Sequence, residues 1–175
     1  YLTLFKEDLI KKKIKYKTNP RYWYGLHCPR KIIIFEQEKI ITPEISIGCN
    51  MSLDKENLYT NTQNYSFIKN KNIKESYKYF LAIFNSKLMW FFIKNTGNIL
   101  AGGFYRFKTD YLKPFPLPEV DSPEKIIKLE SLVDQVINGK KQNSDTGNLE
   151  REIDKLVYSL YGLTNEEIAI IEKVN

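Results

Sequence analysis

The chain has 175 residues, with 27 Lys/Arg against 21 Asp/Glu for a net charge of +6, and 42% of it is hydrophobic and 14% aromatic. That is enough apolar material for a folded domain with an appendage, and it excludes a disordered polyampholyte. No run of about 18 apolar residues occurs, which excludes a membrane-spanning helix, and the absence of a charged-then-apolar leader makes a cytoplasmic location the expectation. The start at Tyr1, already inside a helical pattern, suggests a piece of a longer protein.

The charge is unevenly spread. Residues 119–175 hold 7 Lys/Arg against 12 Asp/Glu, which leaves 20 against 9 in residues 1–118. A strongly basic body followed by an acidic tail concentrates polyanions on the body, and nucleic acid is the commonest of these. This split gives the expected organisation: residues 1–118 as a recognition domain and 119–175 as a C-terminal helical extension.

In chain order, Leu2, Phe5 and Leu9 are spaced for an amphipathic helix that ends in Lys11, Lys12, Lys13, Lys15 and Lys17, and Asn19-Pro20 breaks it. Arg21, Tyr22, Trp23 and Tyr24 follow, then His27, Cys28, Arg30 and Lys31. Flat rings beside cations are suited to stacking and phosphate contact, although Trp23 is equally suited to plugging a core. His27 is the only histidine and has no nucleophile motif beside it, and Cys28 and Cys49 lack the spacing of a zinc site.

Lys31 to Phe35 and Lys39 to Thr42 read as two strands, with Pro43 ending the second and Ile45-Ser46-Ile47 resuming weakly. Residues 50–57 read as loop, and Leu58-Tyr59-Thr60 and Tyr65 to Ile68 as further short strands. From Lys74 to Asn95 the period changes. Tyr77, Phe80, Leu81, Phe84, Leu88 and Phe91 form one stripe, which predicts a single helix of about six turns with Asn85-Ser86-Lys87 on its far side. Gly97, Gly102 and Gly103 then loosen the backbone. Tyr105, Arg106 and Lys108 leave that segment, and Lys113 to Pro118 closes it. Ser122-Pro123 starts a helix to about Ile137, Leu149 to Leu160 another, and Thr164 with Glu167 caps a last short one. The fold expected is α+β: a small, irregular, mostly antiparallel sheet packed on a long central helix, followed by a C-terminal helical hairpin.

No Walker loop, G-x-G-x-x-G, G-x-S-x-G or H-E-x-x-H occurs, and the Asn/Asp-Pro-Pro-aromatic signature of amino-methyltransferases is missing. Catalytic residues are therefore not expected in this chain, and no metal site or cofactor is assigned to it.

Arg21-Tyr22-Trp23-Tyr24, Pro29-Arg30-Lys31-Ile32, Lys39 to Pro43, Leu81 to Leu88, Gly102-Gly103 with Tyr105-Arg106, and Leu112 to Pro118 follow one another in an order that resembles the TaqI-like C-terminal specificity domain of N6-adenine DNA methyltransferases and fused restriction–modification enzymes. Ile153 to Ile168 resembles the ending of such enzymes. The resemblance implies a target-recognition domain of a type II system that reads double-stranded DNA. It also implies an upstream S-adenosylmethionine-dependent catalytic domain of the same chain, with or without a fused nuclease. The residues expected to face DNA, chosen for their chemistry, are Arg21, Tyr22, Trp23, Tyr24, Arg30, Lys31, Lys39, Gly102, Gly103, Tyr105, Arg106 and Lys108. The competing readings are a docking module of a larger enzyme without DNA contact, and single-stranded RNA binding through Tyr22 to Tyr24.

Overall fold

The computed structural model describes residues 1–16, 22–25, 31–119 and 122–173, and it is an α+β chain. These residues fall into two compact units, 1–36 and 37–175.

In the first unit a 3-10 turn, Leu2–Phe5, runs into α1 (Lys6–Tyr16). Glu7 and Asp8 stand in the first turn of α1 and Lys13 and Lys15 in its last, the order the helix dipole favours. The strand expected at Lys31 to Phe35 does not form. Ile34 N–H donates to the Lys31 carbonyl and Phe35 N–H to that of Ile32, which winds Ile32–Ile34 into one 3-10 turn. A β-branched run becomes a strand only where a neighbour offers a free edge. Both edges of the strand that follows are filled.

That strand, β1 (Lys39–Pro43), is the centre of a three-stranded antiparallel sheet in the order β3-β1-β4, with β3 at Ser52–Asp54 and β4 at Asn64–Phe67. β3 occupies part of the expected loop. The chain then leaves the sheet, so Leu58-Tyr59-Thr60 is not a strand: the Asp54 carboxylate accepts the N–H groups of Glu56 and Leu58, each at 2.9 Å, and curls the backbone over itself. A second ladder joins β2 (Ile45–Ser46) to β5 (Tyr105–Arg106).

The expected long helix is two helices, α2 (Tyr77–Phe84) and α3 (Lys87–Thr96). The break is made by the polar residues between them, which bond to the sheet and the tail although only Ser86 is buried, Lys87 being half-buried and Asn85 exposed. Asn85 matches its amide to both main-chain groups of Met51, at 2.9 Å each, and so fastens the helices to the start of β3. Ser86 is buried, accepts the Met89 N–H as cap of α3 and donates to the Ile83 carbonyl at 2.7 Å. Lys87 N–H donates to Asp154 Oδ1 at 2.9 Å. The deepest positions, Tyr79, Ile83, Met89 and Ile93, lie off the predicted stripe, whereas Phe80, Phe84, Leu88 and Phe91 are half-buried. Helices covered by a sheet on one side and by helices on the other bury a wider seam than a one-sided pattern implies.

After the single turn α4 (Thr109–Leu112), the tail supplies those covering helices: α5 (Pro123–Lys141), α6 (Gly147–Leu160) and α7 (Asn165–Lys173). Ser122 caps α5 with Pro123 at its first position, and Thr164 and Glu167 satisfy each other's N–H groups ahead of α7, as expected. α5 lies along α2, tied by Ser76 to Glu130 at 2.6 Å and Lys78 to Asp134 at 2.5 Å. Leu129, Val133, Ile153 and Val157 share one core with Ile83, Ile93 and Phe107. Packing is therefore continuous across residue 118, where the composition changes sign. Among the described residues no helix is long and apolar enough to cross a membrane.

Burial pushes the Asp154 carboxyl up to about 6, against the pull of the Lys87 N–H and ammonium. The folded chain therefore holds this proton more tightly than the unfolded chain, whose carboxyl ionises near ~4. Its contribution to stability is complete below that value and is lost as pH rises through about 6. Asp154→Asn keeps an acceptor for Lys87 and removes the ionisation. Its unfolding temperature, relative to the parent chain, is expected to rise between pH 4 and pH 7. A pH-independent difference in thermal unfolding excludes this account.

Candidate nucleic-acid interface

Residues 98–108 form the most distinctive exposed feature of the second unit. Leu100 N–H donates to the Phe104 carbonyl at 2.7 Å, Gly103 N–H to that of Leu100 at 3.2 Å, and Ile99 bridges Tyr105, which closes a hairpin. Its tip turns through Gly102 and Gly103, at φ of +81° and +79°. A Cβ at Gly103 meets nothing, and one at Gly102 meets only the Phe104 ring at 3.4 Å. Glycine is needed here for left-handed backbone and not for space.

One indole anchors the hairpin. Trp90 on α3 meets Tyr105 edge-on at 5.1 Å and lies parallel to Phe107 at 6.4 Å, and the Lys94 ammonium sits 5.1 Å from its ring. Side chains alternate along extended backbone. With Tyr105 and the fully buried Phe107 turned toward α3, Arg106 is directed to the opposite face, beside its cross-strand partner Ile45. Lys108 is also extended, at φ −69° and ψ 152°, and follows Arg106 by two residues, on the same side.

The Arg106 guanidinium is about one-third exposed and lies 4.0 Å from Glu44, a loose pair. Its Nε is buried without an acceptor among the described residues. Lys108 is half-buried with no ion pair there. Ile45, the cross-strand partner of Arg106, stands exposed, as do Ile99 and Phe104 elsewhere on the hairpin. Sequence reading missed Ile45, because only the register of β2 against β5 sets it beside Arg106.

In the first unit, Gly25 N–H closes a turn onto the Tyr22 carbonyl at 3.0 Å. The turn stacks Tyr22 on Tyr24 with centroids 5.3 Å apart and planes 9° apart, and sets Trp23 edge-on to Tyr24 at 5.4 Å. Both tyrosines are half-exposed, Trp23 is half-buried, and Lys6 lies 5.7 Å from the Trp23 ring. Lys31 is exposed. Arg21 and Arg30 lie outside the described residues.

One expectation is corrected. Lys39 does not face outward: it is fully buried, and its ammonium is ion-paired with Asp54, the residue directly opposite it in the β1–β3 register. Burial opposes ionisation of Asp54. The Lys39 ammonium and the N–H groups of Glu56 and Leu58 outweigh it and hold the carboxyl below its usual range. Tyr105 is half-buried with its ring committed to Trp90, so its contribution is to seat the strand that carries Arg106. The expected residues that the structure brings together are Gly102, Gly103, Tyr105, Arg106 and Lys108.

The sequence model of the TaqI-like C-terminal specificity domain matches residues 3–117. The chain belongs to that family. The match takes in both the aromatic turn and the glycine hairpin of this specificity domain, and it stops just before Pro118, where the helical tail begins.

Lys39→Met leaves Asp54 buried without its cation and is expected to cost the specificity domain about 3–5 kcal/mol of stability. Chemical denaturation checks this, and a loss under about 1 kcal/mol contradicts the buried pair.

Proposed function

We propose that this specificity domain reads double-stranded DNA as the target-recognition part of a type II restriction–modification enzyme, an N6-adenine methyltransferase whose S-adenosylmethionine-dependent catalytic domain lies upstream. The observation that carries the reading is the pair Arg106 and Lys108, each partly exposed on the face away from Trp90 and set beside an open glycine tip. A guanidinium offers two parallel donors to the guanine edge or to a phosphate, and an ammonium adds a phosphate contact. Glycines without a Cβ let the backbone approach the groove closely. Tyr22, Trp23 and Tyr24 supply further rings and Lys31 further charge, and Arg21 and Arg30 are their neighbours in sequence.

The exposed Ile45, Ile99 and Phe104 favour a second reading, in which the hairpin docks on a neighbouring domain. Salt separates the two. Phosphate contacts make affinity fall steeply as salt rises, and apolar docking does not.

In the full-length enzyme, Arg106→Ala is expected to weaken duplex binding by about 1–3 kcal/mol, measured by fluorescence anisotropy, and Lys108→Ala to reduce the salt slope by about one. Glu44→Gln, which removes the carboxylate beside Arg106, is expected to tighten binding a few-fold at low salt. Unchanged binding and methylation in Arg106→Ala overturn the proposal.

A further inference from the structure

We infer that the cavity between β3, α2, α5 and α6 is a binding site for a small organic acid with an apolar body, independent of the DNA-reading surface. Its volume is about 840 Å³, within the range of small-molecule sites. The floor is apolar: Met51, Leu81, Val133 and Ile153 are buried there, and Val136 and Ile137 are half-buried. The polar groups of the interior are already committed. The Asn85 amide is spent on Met51, and burial holds the Cys49 thiol protonated, with its pKa pushed up to about 12. An uncharged polar ligand therefore finds few partners inside.

The rim is different. Four cations line the cavity, and two of them are engaged: Lys87 by Glu172 and Lys140 by Glu150. The remaining two, Lys141 and Arg151, are exposed and carry no ion pair among the described residues; Arg151 donates to the neutral Asn148 side chain. The carboxylates of the wall offset them only in part: Glu150 is taken by Lys140 and Thr146, while Asp154, which accepts the Lys87 N–H, is charged only above about pH 6. Two cations without an ion pair among the described residues, over an apolar floor, complement one anionic head on a hydrocarbon or aromatic body.

The test uses the 175-residue chain with the uncharged dye Nile red as fluorescent probe and decanoate and decanol as competitors. The site predicts saturable one-to-one probe binding, displaced by decanoate about tenfold more effectively than by decanol because only decanoate pairs with the rim. Val136→Trp fills the cavity and is expected to abolish the probe signal at an unchanged unfolding temperature. Lys141→Glu with Arg151→Glu is expected to erase the preference for decanoate while leaving decanol competition intact. Equal competition by the two, or full probe binding by a folded Val136→Trp chain, overturns the inference. If Val136→Trp fails to fold, the charge-reversed pair decides alone. Val136 lies apart from residues 98–108, so in the full-length enzyme Val136→Trp leaves DNA affinity unchanged, and either proposal can fail without the other.

Discussion

The second unit depends on a knot of hydrogen bonds at Asn85, Ser86 and Lys87, of which Ser86 alone is buried. Met51, Ile83 and Met89, whose main-chain groups the knot matches, are buried, and an unmatched buried polar group costs on the order of 1–3 kcal/mol. Each of the three polar residues is matched to a different layer. Asn85 takes the sheet through Met51, Ser86 takes both helices through Ile83 and Met89, and Lys87 takes the tail through Asp154. The knot therefore fixes the relation of sheet, helices and tail at one point, where apolar contacts alone tolerate sliding.

What the knot fixes is carried outward to the hairpin. α3 starts at Ser86, and one turn on it presents Trp90, whose faces and edge hold Phe107 and Tyr105. On the other side of the same strand, β2 supplies its ladder, and the Glu44 carbonyl receives the Phe107 N–H at 2.8 Å. The proline-rich exit is secured in turn: Phe115 lies between Phe92 and Tyr161, and the Tyr161 hydroxyl donates to the Pro116 carbonyl at 2.7 Å. The acidic tail is thus structural support for the basic body and not an attachment to it.

The features legible in the sequence were those whose cause is local. Ser122-Pro123 and Thr164 with Glu167 announce helix starts because cap and capped group lie within three residues. Arg106 and Lys108 beside Gly102-Gly103 were legible for the same reason. The misread elements depended on partners distant in the chain. Ile32-Ile33-Ile34 has strand chemistry, but both edges of β1, the strand that follows it, are held by β3 and β4; Ser52–Asp54 looks like loop until β1 lies beside it. Lys39 looks like a surface cation until Asp54 is set opposite it. Asn85-Ser86 interrupted an unbroken apolar stripe without disturbing its spacing, so periodicity alone gave no sign of the break.

Apart from the Phe104 ring beside Gly102, the two glycines at the hairpin tip face open space, and the aromatic contacts of the segment, Trp90 with Tyr105 and Phe107, lie behind them. Foundation and fingertip are therefore mechanically separate. Ala101, exposed beside the glycines, can be exchanged to alter what the protein contacts while leaving its folding energy nearly untouched. A scaffold divided in this way lets new preferences accumulate at the tip at small structural cost.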